Sequence, residues 1–249
     1  MKKYFVILVV LSLFSCKKSN TMNSTTGGSG SSGGITPTNA TSYYAIFESG
    51  KYDSLVGGNL HPYVYAATAY FSSSPVVNPD ASTAVTVDSV KANGRPLCYF
   101  LGSNDYEDTM WYSMTHPVAL TFPITWKVAG KNGIPGFTYT DNALPGYTGY
   151  NQIPDTANHT TDLTVPLTGT SNFDYISIAI DDGAGHNANN VIGNNVTNYT
   201  FHVTDMASFV PTNSGSITVI LMRFSAKNVY GKDMAFRLVR GVIKKVVIK

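Results

Sequence analysis

Two stretches of this sequence alternate between apolar and polar residues at every second position. From Val118 to Val128 the apolar face consists of Leu120, Phe122, Ile124, Trp126 and Val128. From Phe173 to Asp181 it consists of Ile176, Ile178 and Ile180. A period of two is typical of a strand with one buried face, and no helical period is sustained along the chain. The pattern predicts an all-β fold with Trp126 in its core. Pro123 cannot donate to a ladder, so it predicts an edge or a bulge in the first strand.

Short apolar runs separated by Gly, Pro, Asn and Asp continue through the sequence from Tyr43 onward. Asn93-Gly94 is the pair that best tolerates a type I′ turn, so it predicts a hairpin over Val85 to Leu101. About eleven strands at this spacing predict one antiparallel β-sandwich, Ig-like or jelly-roll-like, over residues 43–249. The alternative is two smaller domains divided near residues 131–136.

Residues 1–16 have the layout of a bacterial export signal. Lys2 and Lys3 precede an apolar run of eleven residues, Tyr4 to Phe14, whereas a membrane span needs about 20. The run closes on Leu13-Phe14-Ser15-Cys16, which resembles the lipobox of bacterial lipoproteins. The resemblance implies that Cys16 is alkylated by diacylglycerol and becomes the first residue of the mature chain. The alternative is an ordinary secretory signal with an incidental cysteine.

The segment after Cys16 is rich in Gly, Ser and Thr and contains GGSGSSGG. Such composition behaves as flexible coil, so residues 17–42 are predicted to be a disordered tether. The lipobox, the start Lys17-Lys18 and this tether resemble outer-membrane lipoproteins of the Bacteroidota, as do residues 126–130 and 134–139. Surface-exported members of that group usually carry acidic residues after the cysteine. Their absence here implies an outer-membrane protein that faces the periplasm, with surface exposure as the alternative.

Composition limits the partners of the mature chain. The full chain has a formal charge of +2, and Lys2 and Lys3 leave with the signal, so the remainder is nearly neutral. A neutral surface argues against nucleic acid as a partner, because phosphate backbones are bound by an excess of Lys and Arg. With Cys16 lipidated, Cys98 has no cysteine to pair with, and its neighbours Leu97 and Tyr99 predict a small buried side chain.

Charge is unevenly distributed along the second half of the chain. Residues 132–222 contain no Lys or Arg but have seven acids: Asp141, Asp155, Asp162, Asp174, Asp181, Asp182 and Asp205. Residues 223–249 contain eight basic residues and a single acid, Asp233. Since sequential strands usually lie side by side, the two segments are predicted to pair their charges across the solvent face. The alternative is two separate faces, one of which meets an anionic partner.

The loop after the second alternating strand collects side chains with oxygen atoms. Its candidate ligands are Asp181, Asp182, Asn187 and Asn189. Calcium takes about six to eight oxygens from carboxylates, amides and carbonyls, so these residues predict a calcium site. Their order is not that of an EF-hand loop. The alternative is a loop without a cofactor, in which Asp, Asn and Gly serve the turn alone.

A second candidate site lies in the Tyr- and Pro-rich segment 140–162, which lacks a convincing strand pattern. Loops of this length in a compact domain are often functional. Tyr147 and Tyr150, together with Trp111 and Tyr112, are predicted to offer flat faces for sugar rings. The alternative is that these aromatics fill the rim of the core and keep their hydroxyls in water.

The sequence contains no pattern that predicts catalysis. The five histidines show neither metal-ligand spacing nor an H-E-x-x-H motif: His61, His116, His159, His186 and His202. The leading hypothesis is a non-enzymatic, lipid-anchored binding or structural module of the cell envelope, with a glycan or another envelope protein as its partner. One alternative is a carbohydrate-binding module that uses the loop aromatics. Another is a hydrolase whose site is assembled from distant loops.

Overall fold

The computed structural model describes residues 35–107, 121–142 and 144–249. These residues form eighteen strands and one short 3₁₀ helix, Gly149–Gln152, and they belong to one compact unit. The strands are β1 (Ile35–Pro37), β2 (Tyr43–Val56), β3 (Asn59–Val76), β4 (Ser89–Ala92), β5 (Arg95–Pro96), β6 (Cys98–Phe100), β7 (Asp105–Glu107), β8 (Ile124–Ala129), β9 (Phe137–Asp141), β10 (Gly146–Tyr147), β11 (Thr156–Ala157), β12 (Leu163–Pro166), β13 (Thr170–Ser171), β14 (Tyr175–Asp181), β15 (Asn187–Gly193), β16 (Asn198–Phe201), β17 (Thr212–Val229) and β18 (Lys232–Ile248). The all-β prediction is confirmed.

A sheet of ten strands forms one layer of the sandwich. Its main path runs β15-β14-β17-β18-β2-β3-β7-β6, with β1 beside β17 and β11 beside β18. Most neighbours are antiparallel, but β18 pairs in parallel with both β2 and β11. The sandwich is therefore mainly antiparallel, as predicted, with parallel pairs on the two sides of β18.

Four long strands form the centre of this sheet. β2 has 14 residues, β3 and β17 have 18 each, and β18 has 17. The sequence predicts two separate strands over residues 234–240 and 243–248, but β17 and β18 stay in register across Gly241 and Val242. The four strands are therefore long enough to carry two separate hydrophobic regions on one face.

The smaller sheets form the second layer. One has the order β5-β4-β8-β9, and the pairs β10-β13 and β12-β16 form two others. Asn93 and Gly94 have φ angles of 50° and 79°, which confirms the predicted turn. β8 begins after Pro123 and pairs on both sides, so the predicted edge or bulge at Pro123 is wrong. Residues 131–136 connect β8 to β9 within one sheet, so they do not separate two domains.

The N-terminal segment joins the sheet earlier than expected. Residues 1–34, which include Cys16, lie outside the described residues. The predicted tether extends to residue 42, but Ile35 already pairs with Val229 of β17. An exposed strand edge offers unpaired backbone groups, and β1 satisfies some of those of β17.

Two hydrophobic clusters fill the space between the layers. Cluster 1 combines Phe47, Phe71 and Phe236 of the large sheet with Trp126 of β8 and Phe137 of β9. The Trp126 side chain is almost fully buried, as predicted. Cluster 2 combines residues of β14, β17 and β18 with the covering segments after β9, including Tyr147, Ile153, Val165, Phe201 and Met206. Both clusters lie against the same face of the large sheet.

Candidate functional site

On the inward face of β18, a charged residue separates the apolar side chains of cluster 1 from those of cluster 2. Leu238 belongs to cluster 1 and Val242 belongs to cluster 2. Arg240 lies between them at the same period of two, so its side chain points to the same face. The boundary between the two clusters on β18 is therefore a single arginine.

The neighbouring strands have polar residues at the same level. β2 runs from Phe47 of cluster 1 to Leu55 of cluster 2, and the residues between them on that face are Ser49, Lys51 and Asp53. Lys51 and Arg240 are direct neighbours in the parallel pair. β17 adds Arg223, and β9 adds Asp141 from the covering layer. We define the polar seam as Ser49, Lys51, Asp53, Asp141, Arg223 and Arg240.

Each acid of the polar seam contacts a base. Arg240 Nη2 lies 2.6 Å from Asp53 Oδ2, and Lys51 Nζ lies 3.5 Å from Asp53 Oδ1. Arg223 Nη1 lies 3.3 Å from Asp141 Oδ1. The side chains of Asp53 and Asp141 are 1% and 6% exposed, whereas those of the three bases are between 14% and 26% exposed. The acids therefore lie at the floor of the seam, and the bases lie nearer to solvent.

Two buried atoms of the seam have no hydrogen-bond partner among the described residues. They are Ser49 Oγ and Arg240 Nε, whereas the carboxylate oxygens of Asp53 form ion pairs with Arg240 Nη2 and Lys51 Nζ. Buried polar atoms in folded proteins are nearly always hydrogen-bonded, and leaving one unsatisfied costs about 1–3 kcal/mol. The seam thus brings together acceptors, donors and a hydroxyl, the combination that matches a ligand whose own groups both donate and accept.

Asp141 is a shared counter-charge at one end of the seam. Burial lowers the pKa of Lys227, and the negative charge of Asp141 partly offsets this lowering. Burial, reinforced by the charge of Asp141, raises the pKa of Tyr139 to about 12. The predicted pairing between the acidic and basic segments is confirmed at Arg223–Asp141 and at Lys244–Asp155, where Nζ and Oδ1 are 2.8 Å apart. The Asp141 pair, however, is buried between the layers and does not lie on the solvent face.

The four residues predicted to bind calcium lie at the β14–β15 turn. Asp182 is fully buried, and its Oδ1 accepts hydrogen bonds from the backbone amides of Ala184 and His186. Its Oδ2 accepts from Val210 N and lies 2.6 Å from His186 Nδ1. Asp181 accepts from Ser216 Oγ, while Asn187 and Asn189 are exposed on β15. Asp182 thus has a structural function in this turn, and the calcium site stays a prediction.

Replacing Asp182 with asparagine should destabilise the domain by about 2 kcal/mol at pH 7. Burial alone would raise the pKa of Asp182, but the hydrogen bonds from His186, Ala184 and Val210 outweigh it and hold the pKa at about 2. Because the folded pKa lies below the ordinary value of 3.8, the stabilisation is complete above that value and is lost as the pH falls toward 2. Urea denaturation at several pH values between 7 and 3 measures the difference between wild type and D182N.

The matched control for D182N is Asp88→Asn, since Asp88 is 57% exposed and its ion-pair partner Lys131 is equally exposed. We expect D88N to change the free energy of unfolding little at any pH. A gap between wild type and D182N that stayed constant down to pH 3 would contradict the assignment, because it would mean that the lost contacts do not depend on the charge.

The aromatic residues predicted to stack on sugars do not form an exposed platform. Tyr147 is only 4% exposed, and its hydroxyl donates to Pro166 O at 2.9 Å. Tyr150 is partly buried and packs edge-on against it, with ring centroids 6.3 Å apart. Trp111 and Tyr112 lie outside the described residues. The prediction is wrong for Tyr147, whose ring fills cluster 2 beneath the loop.

Cys98 is exposed, which corrects the prediction of a buried thiol. The strand β6 alternates in the opposite phase, so that Leu97 is buried and Tyr99 packs against cluster 1. The apolar residues Leu97 and Tyr99 do not predict that Cys98 between them is buried, because adjacent residues of a strand point to opposite faces.

No protein-family model matches the sequence, and a comparison with curated proteins found no match. Among the described residues no helix is both long enough and apolar enough to cross a membrane. The case for a function therefore rests on the residues of the polar seam and on the N-terminal sequence.

Proposed function

We propose that this chain is a lipid-anchored, non-enzymatic binding module of the cell envelope, and that the polar seam holds its ligand. The observation that carries the proposal is that Ser49 Oγ and Arg240 Nε, both buried beside the ion-paired Asp53, have no hydrogen-bond partner among the described residues. A purely structural ion pair of this kind is weak support for stability, because desolvation offsets most of the attraction. Binding an external polar group would satisfy these atoms.

The ligand class that fits best is a glycan or another molecule rich in hydroxyl groups. A hydroxyl donates one hydrogen bond and accepts others, so it can accept from Lys51, the most exposed of the three bases, and donate to an acceptor beside it. Tyr65 lies beside Lys51 in the β2–β3 register, and Lys51 Nζ is 5.7 Å from the centre of its ring. The nearly neutral charge of the chain argues against a phosphate-rich partner such as nucleic acid.

Replacing Lys51 with methionine should weaken glycan binding about ten-fold or more, because it removes a charged donor at the solvent-facing side of the seam. The measurement is a glycan array followed by titration of the best ligand. Lys127→Met is the matched control, since it makes the same change at an exposed position of β8.

Ser49→Ala provides a second test at the floor of the seam. It removes the buried hydroxyl without adding volume, and it should also weaken the binding of the glycan. Binding that is unchanged in both K51M and S49A would place the ligand elsewhere. An array without any ligand would favour a structural module and would contradict the binding proposal.

The N-terminal sequence supports the anchoring half of the proposal. The apolar run ends at Cys16, and Lys17-Lys18 follow it without an acidic residue. The residues between the cysteine and β1 are rich in Gly, Ser and Thr. Diacylglycerol on Cys16 would contribute about 0.8 kcal/mol per buried CH₂ and hold the domain near the outer membrane, facing the periplasm.

Replacing Cys16 with serine should move the protein from the membrane fraction to the soluble fraction or leave its signal uncleaved. The measurement combines fractionation of the cells with labelling by a radioactive fatty acid, which should mark wild type alone. Cys98→Ser is the control, because it removes the exposed thiol of the domain and leaves the lipobox intact. Labelling of C16S, or wild type without label, would contradict lipidation.

A further inference from the structure

β15 forms one end of the ten-stranded sheet and pairs with β14 alone among the described strands. Its seven residues, NANNVIG, include no charged residue and no proline. Natural edge strands are usually protected by Lys, Pro, a bulge or a short length. β15 has none of these features, and Val191 on it is 52% exposed.

The hydrogen-bond pattern identifies which groups of β15 face outward. Asp182 N donates to His186 O next to the pair Asp181–Asn187, and hydrogen-bonded pairs alternate along an antiparallel ladder. The backbone groups that point away from β14 therefore belong to the residues Asn187, Asn189, Val191 and Gly193. Consistent with this, Val191 N donates to the side chain Oδ1 of Asn190 at 2.8 Å.

We propose that β15 is a self-association interface at which a second copy of this chain adds its own β15 in antiparallel orientation. With the twofold axis at Asn190, Asn187 pairs with Gly193 of the other copy and Asn189 pairs with Val191. The outward-facing backbone groups of one copy then pair with those of the other, which gives about eight backbone hydrogen bonds between the two strands. The Val191 amide exchanges its bond to Asn190 for one to the partner strand.

A second copy fits this edge for two physical reasons. An interface around a twofold axis places each residue near its own equivalents, so any charge on β15 would meet a like charge. The strand carries none, and its amide side chains can donate and accept across the axis. The proposal does not depend on the ligand of the polar seam or on the lipid.

Cysteine cross-linking in cells that express the full chain tests the proposal. In a Cys98→Ser background, Asn190→Cys puts a thiol on the proposed axis, where each copy meets its equivalent. Lys245→Cys is the control, because Lys245 is exposed but lies on β18, inside the sheet. We expect mild oxidation to convert most of the N190C chain to a disulfide-linked dimer and K245C to remain largely monomeric.

Asn189→Pro added to N190C tests whether strand pairing brings the thiols together. Its lost N–H faces away from β14, so the fold should tolerate proline there, as the melting temperature will show. The cross-link should fall to the level of K245C. Equal cross-linking of N190C and K245C would overturn the proposal. A cross-linked N190C product whose mass shows a partner other than a second copy of this chain would overturn it too.

Discussion

Replacing Arg240 with methionine should lower the free energy of unfolding by about 3 kcal/mol or more. Arg240 Nη2 is 2.6 Å from Asp53 Oδ2, and the Asp53 side chain is only 1% exposed. Without the guanidinium, the carboxylate is buried with Lys51 as its remaining neighbour, at 3.5 Å. A buried charge without adequate compensation is among the most destabilising features that a single substitution creates. Urea denaturation of wild type and R240M measures the difference.

The double variant Asp53→Leu/Arg240→Met should recover most of this loss. It replaces the pair with apolar side chains between two existing hydrophobic clusters, a change that is often neutral or stabilising. Lys245→Met is the matched control for the arginine substitution, since it removes an exposed charge five residues along the same strand. If the double variant were as unstable as R240M alone, the cost would come from lost packing of the arginine and not from an uncompensated charge.

The same double variant separates stability from binding. Along β18, cluster 1 ends at Leu238 and cluster 2 begins at Val242, so an apolar residue at position 240 would join the clusters into one core. If the Asp53–Arg240 pair adds nothing to stability, ligand binding would explain why these two charged residues are present. We therefore expect D53L/R240M to be folded and to have lost the ligand of the polar seam.

Much of the fold could be predicted because alternation reports directly which face of a strand is buried. The buried isoleucines of β14 and the position of Trp126 in β8 agree with that pattern. Alternation does not report which strand lies beside which, since pairing depends on residues far apart in sequence. The parallel neighbours β2 and β18 are therefore visible only in the structure.

The polar seam does not follow from the sequence pattern, because the apolar residues of this stretch stop at Phe47 and Gly50 weakens the strand signal. The sequence predicts a strand over Tyr43–Glu48, but β2 continues through Gly50 to Val56. Extending the alternation past Gly50 brings Lys51 and Asp53 onto the face of Phe47, which is the signal that could have located the polar seam. The prediction that Tyr147 is exposed is wrong for a different reason. An aromatic residue in a loop belongs to no periodic pattern, so its burial depends on what the loop covers.

Replacing Gly241 with alanine should destabilise the domain by about 1–3 kcal/mol, although alanine is otherwise the better residue in a strand. A Cβ atom at Gly241 would lie 2.3 Å from Cδ1 and 2.8 Å from Cε1 of Tyr52, its direct neighbour on β2. The Tyr52 ring also reaches Gly50, where a Cβ would be 3.1 Å from Cε2. The ring thus covers two glycines that would otherwise weaken the centre of the sheet.

The sign of this effect should reverse when the ring is removed. In a Tyr52→Ala background, Gly241→Ala meets no ring, so it should leave stability unchanged or raise it slightly because the unfolded chain loses conformational freedom. Gly193→Ala is the control in both backgrounds, since no atom of the described residues lies within 4 Å of its Cβ position. A double-mutant cycle by urea denaturation isolates the coupling. An equal cost of G241A in both backgrounds would mean that the backbone of β18 itself requires glycine. The reversed sign would instead show that the Tyr52 ring, packed over Gly241, is what excludes a side chain at this position of β18.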